Sequence, residues 1–468
     1  MKEKSYRWSN FTHVLERGDV SALYNSLKVT PVFVDSDLVP LIKDFGEGKT
    51  AREVIDVVDS EKKQQLTNLI PALNEGKILV DAESTDRKIL EWFQGHYTDI
   101  NPYVSLAYFI LTDNCNFGCK YCFVESRMSQ GYRFTHMTRE TAQKGMDMFC
   151  RLISLDPDLF PEEKTILLYG GEPLLNLSTI QYILETVRER MKDGRLPEKT
   201  VVSMVTNGSL ITPKIAKLLK TYNVNVAVSL DGDKSVTNSC RQYQDGKPVY
   251  DDVIKGIQIL KREGVELGIS CTMSQQCIDN FDHTLDLIIN ELSVDSLGFN
   301  IVMTGSGYKI LDGYNEKAAQ SLIKAFQIFR KHNIVEDRVM RKVDSFVKQQ
   351  VYPFDCGAAG GGQIVMAPDG EVGICHGYLG DRKYFTTTVD DTTFNPGSNP
   401  VFQEWSKRSP LNMKECENCI ALGICGGGCP LSADYETGSI WGLDSRFCVH
   451  SKMTLEWLIW DLFEQMQT

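Results

Sequence analysis

The sequence predicts an α/β protein whose centre is a partial (β/α)6 TIM-like barrel, because apolar strand segments alternate with periodic helical stretches. Most of the strand segments are apolar on both faces, as buried parallel strands are. Helical stretches such as 138–153, 212–221 and 250–263 lie between them. Six such repeats fit a partial barrel better than a barrel of eight. The predicted strands are 104–111, 165–169, 200–205, 224–230, 267–272 and 297–303.

These patterns divide the chain into three parts. Residues 1–100 precede the barrel, residues 101–345 contain it, and residues 346–468 follow it. The first part shows two short strands, three helices and a closing strand, an order that is typical of a winged-helix module. Its elements are predicted at 23–28, 32–34, 38–45, 52–58, 61–74 and 78–80.

The third part is rich in glycine and cysteine and has little apolar core of its own. Its segment 363–375 is predicted to be a hairpin that turns at Pro368-Asp369-Gly370. Residues 454–465 are predicted to form an amphipathic helix.

The composition limits the classes of partner. A formal net charge of −12 argues against a nucleic acid or an anionic membrane held by bulk electrostatics. No stretch approaches the ~18 uninterrupted apolar residues of a membrane span, and the start, MKEKSYRWSN, lacks the apolar core of a secretory signal. We therefore expect a cytoplasmic protein with neither nucleic acid nor membrane as a partner.

The fourteen cysteines fall into groups. Three lie close together at Cys115, Cys119 and Cys122, and seven more lie between Cys356 and Cys448. Disulfides are rare in the cytoplasm, so two such groups of thiolates indicate metal sites. The other four show no ligand spacing and are expected to pack as small apolar side chains; they are Cys150, Cys240, Cys271 and Cys277.

The first group lies in the run LTDNCNFGCKYCF, directly after the first predicted barrel strand. Loops at the carboxyl ends of barrel strands carry the chemistry of barrel enzymes. The spacing Cys-x3-Cys-x2-Cys supplies three thiolates to a four-iron cluster and leaves one iron without a protein ligand. Such an open position is a catalytic feature. The alternative, a structural zinc site, needs four closed ligands, and no nearby fourth is obvious.

This run resembles the signature of the radical S-adenosylmethionine (SAM) superfamily. The resemblance implies that the open iron binds the amino and carboxylate groups of SAM. It also implies that an electron from the cluster cleaves the sulfonium to give a 5′-deoxyadenosyl radical. Phe123 takes the place of an aromatic residue whose backbone meets the adenine. In this chemistry the cofactor reacts and the protein positions it.

Three further stretches, each at the end of a predicted strand, are similar to motifs of the same superfamily. The first resembles the motif that meets the SAM amino group, and a plain Gly-Gly turn is its alternative. Arg241 follows the last of them, at a spacing similar to that of an arginine that pairs with the SAM carboxylate. Each match is weak alone, but their order supports them. They are Gly170-Gly171-Glu172-Pro173, Thr206-Asn207-Gly208 and Ser229-Leu230-Asp231-Gly232.

The seven later cysteines resemble the SPASM extension, which holds two auxiliary four-iron clusters; a zinc ribbon is the alternative for Cys416-x2-Cys419. The resemblance implies three [4Fe–4S] clusters in all. It assigns Cys416, Cys419, Cys425 and Cys448 to an outer cluster, and Cys356, Cys375 and Cys429 to an inner one. The inner set lacks the additional cysteine of sulfatase-maturing relatives. Our hypothesis is that its open iron takes a substrate thiolate; Asp355 or His376 could fill the position instead.

The first part of the chain resembles the RiPP recognition element, a winged-helix domain that captures the leader of a precursor peptide, typically at a sheet edge. A structural cap on the barrel is the alternative. Together, these resemblances imply a peptide maturase that forms thioether crosslinks, like the sactipeptide and ranthipeptide synthases. A flavodoxin or ferredoxin is the expected electron donor. Carbon–carbon crosslinking, epimerisation, decarboxylation, sulfatase maturation and a role in electron transfer alone remain as alternatives.

Overall fold

Ten strands of the chain form one mixed sheet, and the residues before and after the central part pack on its periphery. The computed structural model describes residues 4–294, 296–303 and 305–467 of the chain. Within them, none of the helices combines the length and apolar character needed to cross a membrane. The predicted α/β class is confirmed.

The first part contains a three-stranded antiparallel sheet, β2-β3-β4, and a separate pair in which β1 lies antiparallel to β5. Helices α1 to α4 follow and flank these strands. The strands are β1 (Tyr6–Trp8), β2 (Thr12–Arg17), β3 (Val20–Asn25), β4 (Thr30–Asp35) and β5 (Leu79–Asp81). The helices are α1 (Val39–Lys43), α2 (Ala51–Ile55), α3 (Ser60–Glu75) and α4 (Asp86–Tyr97).

The sequence patterns missed β1, β2 and α4 and placed β3 too late, at 23–28. The cause is the alternation of polar and apolar residues after Asn25, Ser26-Leu27-Lys28-Val29, which continues the pattern of a strand although the backbone turns there. The Asn25 side-chain oxygen accepts hydrogen bonds from the backbone N–H groups of Leu27 and Lys28, both at 3.0 Å. An Asx turn of this kind ends the strand, and Leu27 and Val29 are buried in the turn that follows.

The central part supplies seven parallel strands in sequential order, from β6 to β12. This is the order that a partial (β/α)6 barrel requires, and the six predicted strands lie within two residues of β6 to β11. The strands are β6 (Leu106–Ile110), β7 (Lys164–Tyr169), β8 (Thr200–Thr206), β9 (Asn225–Ser229), β10 (Leu267–Met273), β11 (Ser296–Ile301) and β12 (Val335–Glu336).

Helices lie between these strands. They are α5 (Arg139–Ile153), α6 (Leu177–Lys192), α7 (Pro213–Thr221), α8 (Lys234–Cys240), α9 (Tyr250–Arg262), α10 (Gln275–Asp279), α11 (Phe281–Asp286), α12 (Tyr314–His332) and α13 (Asp337–Lys348). Cys150, Cys240, Cys271 and Cys277 are buried in the apolar core of this part, as predicted.

The third part extends the central sheet. Strand β13 (Gln363–Met366) lies parallel to β6 and forms the predicted hairpin with β14 (Glu371–Gly373), and β15 (Phe385–Thr388) completes the sheet. The joining of β13 to the barrel sheet was not predicted. The helices are α14 (Pro400–Ser406), α15 (Leu422–Cys425), α16 (Pro430–Thr437) and α17 (Ser445–Gln467), the last of which begins nine residues earlier than predicted.

The first and third parts share one apolar core. Phe11, Ala22 and Tyr24 pack together with residues of α15 and α17 such as Leu422 and Leu458. Contact is closest at Gly423, where a Cβ would lie 2.2 Å from the carbonyl oxygen of Ser26.

We therefore expect Gly423→Ala to loosen the junction between the first and third parts, at a cost of about 1–3 kcal/mol. Thermal unfolding and limited proteolysis of residues 1–100 would measure this. Gly95→Ala is the matched control, because a Cβ at Gly95, inside α4, would have no neighbour within 4 Å. This description of the junction would be contradicted if the Gly423 variant unfolded at the wild-type temperature and if protease released residues 1–100 no faster than in the wild type.

Candidate active site

A cavity of about 510 Å³ opens at the carboxyl ends of the parallel strands and reaches the third part of the chain. Residues of all six barrel strands β6 to β11 line it. Six cysteines from two distant segments also face it: Cys115, Cys119, Cys122, Cys356, Cys375 and Cys429. The cavity thus brings together two of the three cysteine sets that the sequence indicated.

The loop that carries the first three cysteines is held by the loop after β7. The N–H of Gly171 donates to the Thr112 carbonyl at 2.8 Å, and the N–H of Glu172 donates to the Asn114 carbonyl at 2.9 Å. A Cβ at Gly170 would lie 2.2 Å from the Thr112 oxygen, and Gly170 has φ +150°. The motif resemblance implies that SAM lies close to this glycine pair; in the structure the pair also allows the close approach of the cysteine loop.

The same loop is tied to its other neighbours. The Asn116 side chain accepts from Asn207 Nδ2 at 2.8 Å and donates to Ser209 Oγ at 3.0 Å. On the far side, the N–H of Gly118 donates to the Gln242 carbonyl at 2.8 Å. Because side chains act best when their backbone is fixed by surrounding contacts, this network suits a loop that holds a reactive group.

Glu172 lies beneath the cavity and does not line it. Its carboxylate is fully buried and accepts from Thr206 Oγ1 at 2.7 Å and from the backbone N–H groups of Asn207 and Leu174 at 2.8 and 3.0 Å. Burial raises the pKa of Glu172 to about 7, although these hydrogen bonds act in the opposite direction. The structure thus uses Glu172 to join the loops after β7 and β8.

Asp231 and Arg241 form a buried ion pair beside the cysteine loop. Arg241 Nε and Nη2 donate to the two Asp231 oxygens at 3.0 and 2.9 Å, and the Tyr121 hydroxyl also donates to Asp231. Arg241 lines the cavity while Asp231 lies behind it. Among the described residues Nη1 of Arg241 has no hydrogen-bond partner. The bidentate face expected for a SAM carboxylate is therefore engaged by Asp231, and Nη1 remains free.

The first cysteine set is chemically suited to a metal cluster. Burial raises the pKa of Cys115 and of Cys119 to about 12, with further contributions from neighbouring thiols. Thiolates in this position therefore need a cation to stabilise them. Backbone N–H groups already point at two sulfurs, from Phe117 to Cys115 at 3.4 Å and from Glu125 to Cys122 at 3.5 Å. N–H···S bonds of this kind tune iron–sulfur clusters.

The inner set, Cys356, Cys375 and Cys429, faces the same cavity from the other side. Burial raises the pKa of Cys356 to about 11, and the Cys429 thiol raises it further. Three arginines that line this end of the cavity provide positive charge to balance thiolates: Arg338, Arg341 and Arg446.

Two polar side chains flank the inner set without satisfying their hydrogen-bonding capacity. Asp355 Oδ1 and His376 Nδ1 are buried and have no hydrogen-bond partner among the described residues, and both residues line the cavity. Asp355 is otherwise held by Arg338, at 3.3 Å. His376 stacks on Tyr108 with ring centroids 4.7 Å apart, and burial lowers its pKa to about 4. Asp355 Oδ1 and His376 Nδ1 are therefore each suited to bind a metal or a substrate.

The outer set, Cys416, Cys419, Cys425 and Cys448, does not line the cavity and lies near the first part of the chain. These thiols raise the pKa values of Cys416 and Cys448, after the larger effect of burial. Lys342 lies between the outer and inner sets. Its fully buried Nζ is 3.4 Å from the Cys425 carbonyl oxygen and 4.0 Å from Asp355 Oδ1. A cation in this position offsets the charge of thiolates on both sides.

The spacing of the thiols bears on which metal they suit. Among the described residues, no three Cys, His, Asp or Glu side chains converge closely enough to hold a single metal ion. A zinc site requires such convergence, whereas in a [4Fe–4S] cluster each cysteine binds its own iron. Metal analysis of the purified protein distinguishes the two kinds of site.

Seven of the residues expected to contact SAM line the cavity: Phe123, Gly170, Gly171, Thr206, Asn207, Ser229 and Arg241. Glu172, Pro173 and Asp231 lie outside its lining. Sequence reasoning missed the side chains that the barrel strands point inward, although their alternation along a strand is a recognisable signal. These include Tyr108, Leu167, Tyr169, Ser270, Thr272 and Asn300.

Comparison with known proteins identifies the class. Residues 109–288 match the family model of the radical SAM superfamily, a domain that implies a [4Fe–4S] cluster and SAM. The chain therefore contains a radical SAM domain, as its cysteine motif indicated. The chain is 24% identical over 470 aligned residues to the radical SAM cyclopropyl synthase TigE of Paramaledivibacter caminithermalis, covering 96% of this chain and 95% of TigE.

Two solved structures share its fold. The structure of anSMEcpe with bound AdoMet matches with a TM-score of 0.63 at 21% identity, over 78% of this chain and 100% of that chain. SuiB of Streptococcus suis, bound to its precursor peptide SuiA, matches with a TM-score of 0.50 at 15% identity, over 95% of this chain and 99% of that chain. The chain is therefore similar in fold to enzymes whose structures contain AdoMet or a precursor peptide.

The ion pair behind the cavity gives a prediction. Asp231→Asn leaves the Arg241 guanidinium buried without its counter-charge, which costs about 3–5 kcal/mol when one partner of a buried pair is removed. We expect Asp231→Asn to lower the melting temperature. We also expect its affinity for SAM, measured by equilibrium dialysis, to fall at least as much as the affinity of the control variant. Asp251→Asn is that control, because it breaks only the exposed pair with Lys234. Equal stability of the two variants would contradict a structural role for Asp231.

Proposed function

We propose that the protein is a cytoplasmic maturase of a ribosomally synthesised precursor peptide, in which it installs thioether crosslinks between a cysteine and a carbon of an acceptor residue. The observation that supports this most is the single cavity that two cysteine triplets share. One triplet matches the radical SAM signature. The other has three cysteines for four irons and no fourth cysteine among the residues that line the cavity. A four-iron cluster held by these three cysteines would leave one iron to bind a substrate thiolate, in the cavity that also contains the first triplet.

The roles of the residues follow from this arrangement. When bound at Cys115, Cys119 and Cys122, the cluster and SAM supply a 5′-deoxyadenosyl radical that removes a hydrogen atom from the acceptor carbon. Gly170, Gly171 and Arg241 line the space for SAM, and the cysteine loop is fixed by the bonds described above. The inner triplet would hold one auxiliary cluster, and the outer four cysteines would hold the other. Together with the cluster at the first triplet, this makes three clusters.

The reaction balances with these parts. Each crosslink removes two hydrogens from the peptide, one as the atom taken from carbon and one as the thiol proton. One electron remains, and the seven auxiliary cysteines are proposed to hold the clusters that accept it. Lys342 lies near residues of both auxiliary sets; burial lowers its pKa, while Asp355 and the Cys425 thiol act in the opposite direction. A flavodoxin or ferredoxin would supply the electron that SAM cleavage consumes.

The first part of the chain is proposed to capture the leader of the precursor peptide. Its sheet β2-β3-β4 has two strands, β2 and β4, that pair on one side only within the described residues. A leader could add to either edge through backbone hydrogen bonds. The match to SuiB, whose structure contains its precursor peptide, extends over 95% of this chain and so supports a peptide substrate.

A second candidate is carbon–carbon bond formation within the peptide, such as a cyclopropane ring. The observation in its favour is that TigE, named a cyclopropyl synthase, matches along almost the whole chain. In this case the position beside Cys356, Cys375 and Cys429 would be filled by the chain's own side chain, and Asp355 and His376 have unpaired atoms there.

Mass analysis of the precursor peptide after co-expression distinguishes the two functions. A short peptide encoded beside this chain is the natural substrate to test. Both products lose two hydrogens per modification, so the decisive reading is alkylation of thiols. A thioether removes one alkylatable cysteine for each loss of two hydrogens, while a cyclopropane leaves every thiol reactive. A peptide that stays unmodified although 5′-deoxyadenosine forms would overturn both.

Two cysteine variants separate the sites. Cys115→Ala should abolish SAM cleavage, since it removes a ligand of the first cluster. Cys356→Ala should reduce peptide modification far more than it reduces uncoupled SAM cleavage, provided that iron content shows that the other clusters remain. The readouts are 5′-deoxyadenosine by chromatography and modified peptide by mass analysis. Cys150→Ala is the matched control, because Cys150 is buried in the barrel core away from all three sets. Parallel loss of both activities in the Cys356 variant would argue against a separate role for the inner set.

A further inference from the structure

A second cavity, of about 540 Å³, lies in the first part of the chain, far from the cysteine triplets in sequence. It is bounded by β5, by the turn after β3, and by one face of α4. We call it the lysine groove. Its floor is apolar and includes Phe11, Leu27, Leu79, Ile89 and Phe93. Trp92 stands at its rim with 60% of its surface exposed. An aromatic side chain so exposed on a short helix is a common feature of binding sites.

Four cations surround this apolar floor: Lys4, Lys28, Lys77 and Lys88. Asp81 is the one acid among the described residues that line the groove. None of the four lysines forms an ion pair with a described residue, whereas many other lysines of the chain do, such as Lys62 with Asp37. In a chain with a formal net charge of −12, four unpaired lysines around one groove create a local positive field.

A further polar group lies on the same wall. The hydroxyl of Ser84, directly before α4, is buried and has no hydrogen-bond partner among the described residues. The neighbouring Thr85, at the N-terminal end of α4, also lines the groove, and its side chain forms no capping bond with the helix. The first turn of α4 already contains a carboxylate, Asp86, which is paired with Arg7. Ser84 and Thr85 therefore contribute hydroxyl donors, rather than the helix end itself, for a carboxylate bound at the lysines.

We propose that the lysine groove binds an acidic segment of the peptide substrate, with its Glu or Asp side chains at the lysines and a bulky apolar side chain on the floor. The inference rests on the proposed function and adds the chemistry of the substrate to it. The groove is separate from the sheet edges considered above, since no residue of β2 or β4 lines it. The peptide thus gains a second point of attachment.

The character of the groove selects a peptide over other anions. Nucleic acids are bound mainly through their phosphates by proteins with a basic surface. This chain is acidic overall, and the surface between the four lysines of the groove is apolar. Charged pairs at a rim fix register and speed association, and an apolar anchor supplies most of the affinity. An amphipathic acidic peptide offers both.

Fluorescence anisotropy with the full chain tests this. The probes are two fluorescein-labelled pools of short peptides with random Leu, Phe, Val, Ser and Gly positions, one with fixed Glu residues and one with Gln in their place. We expect the Glu pool to bind about tenfold more tightly, which equals about 1.4 kcal/mol, and we expect added salt to remove the difference. A single-stranded DNA oligonucleotide of equal charge should bind more weakly than the Glu pool.

Lysine variants test whether the peptide binds at the groove. Lys28→Glu with Lys77→Glu should abolish the preference for Glu. Lys43→Glu with Lys49→Glu makes the same change of net charge in the first part of the chain but outside the groove, and it should retain the preference. Equal melting temperatures of the two double variants would exclude unfolding as the cause.

The failures are distinguishable. Equal binding of the two pools, equal loss in both double variants, or tighter binding of the oligonucleotide would each overturn the lysine groove as an acidic-peptide site. None of these results involves SAM or the clusters. Conversely, a chain that prefers the Glu pool but never modifies its precursor would refute the proposed function and leave the groove intact.

Discussion

Burial of thiols around a common cavity is the constraint on which the rest of the site depends. Burial raises the pKa of Cys115 and Cys119 to about 12 and that of Cys356 to about 11, so these side chains are poor thiolates unless a cation binds them. For Cys115 and Cys119 the radical SAM domain implies a [4Fe–4S] cluster whose iron is that cation, and for Cys356 we propose the same. The arginines at one end of the cavity, and Lys342 outside it, offset part of the negative charge that the thiolates contribute. A site of this composition is stable only when metal and protein are assembled together.

The scaffold meets this constraint by fixing loops against one another. Parallel strands in sequential order bring their carboxyl ends to one edge, and the glycine pair at Gly170 and Gly171 lets the cysteine loop lie directly on the next loop. Glu172 and Asp231 then act from behind the cavity, through hydrogen bonds to its walls. The third part extends the same sheet through β13, which lies in the chain between Cys356 and Cys375, two cysteines that line the cavity.

The sequence predicted what depends on local pattern. Barrel strands that are apolar on both faces were located within two residues, and cysteine spacing indicated the radical SAM domain. Contacts between distant residues could not be read in this way. Nothing local reveals that Asp231 engages Arg241, or that Gly423 packs on Ser26 almost four hundred residues earlier. Strand β2 was missed because four of the six residues in its sequence, THVLER, are polar and none is fully buried, as suits a strand of a small sheet.

The central claim is that Cys115, Cys119 and Cys122 hold a four-iron cluster with one iron open to SAM. Metal analysis and electron paramagnetic resonance of anaerobically reconstituted protein test it most directly. Three clusters imply about twelve irons per chain, and replacing these three cysteines by alanine should remove about four of them. Addition of SAM to the reduced wild-type protein should change the resonance of that cluster and leave the variant unchanged. Zinc in place of iron, or a spectrum that does not respond to SAM, would contradict the account.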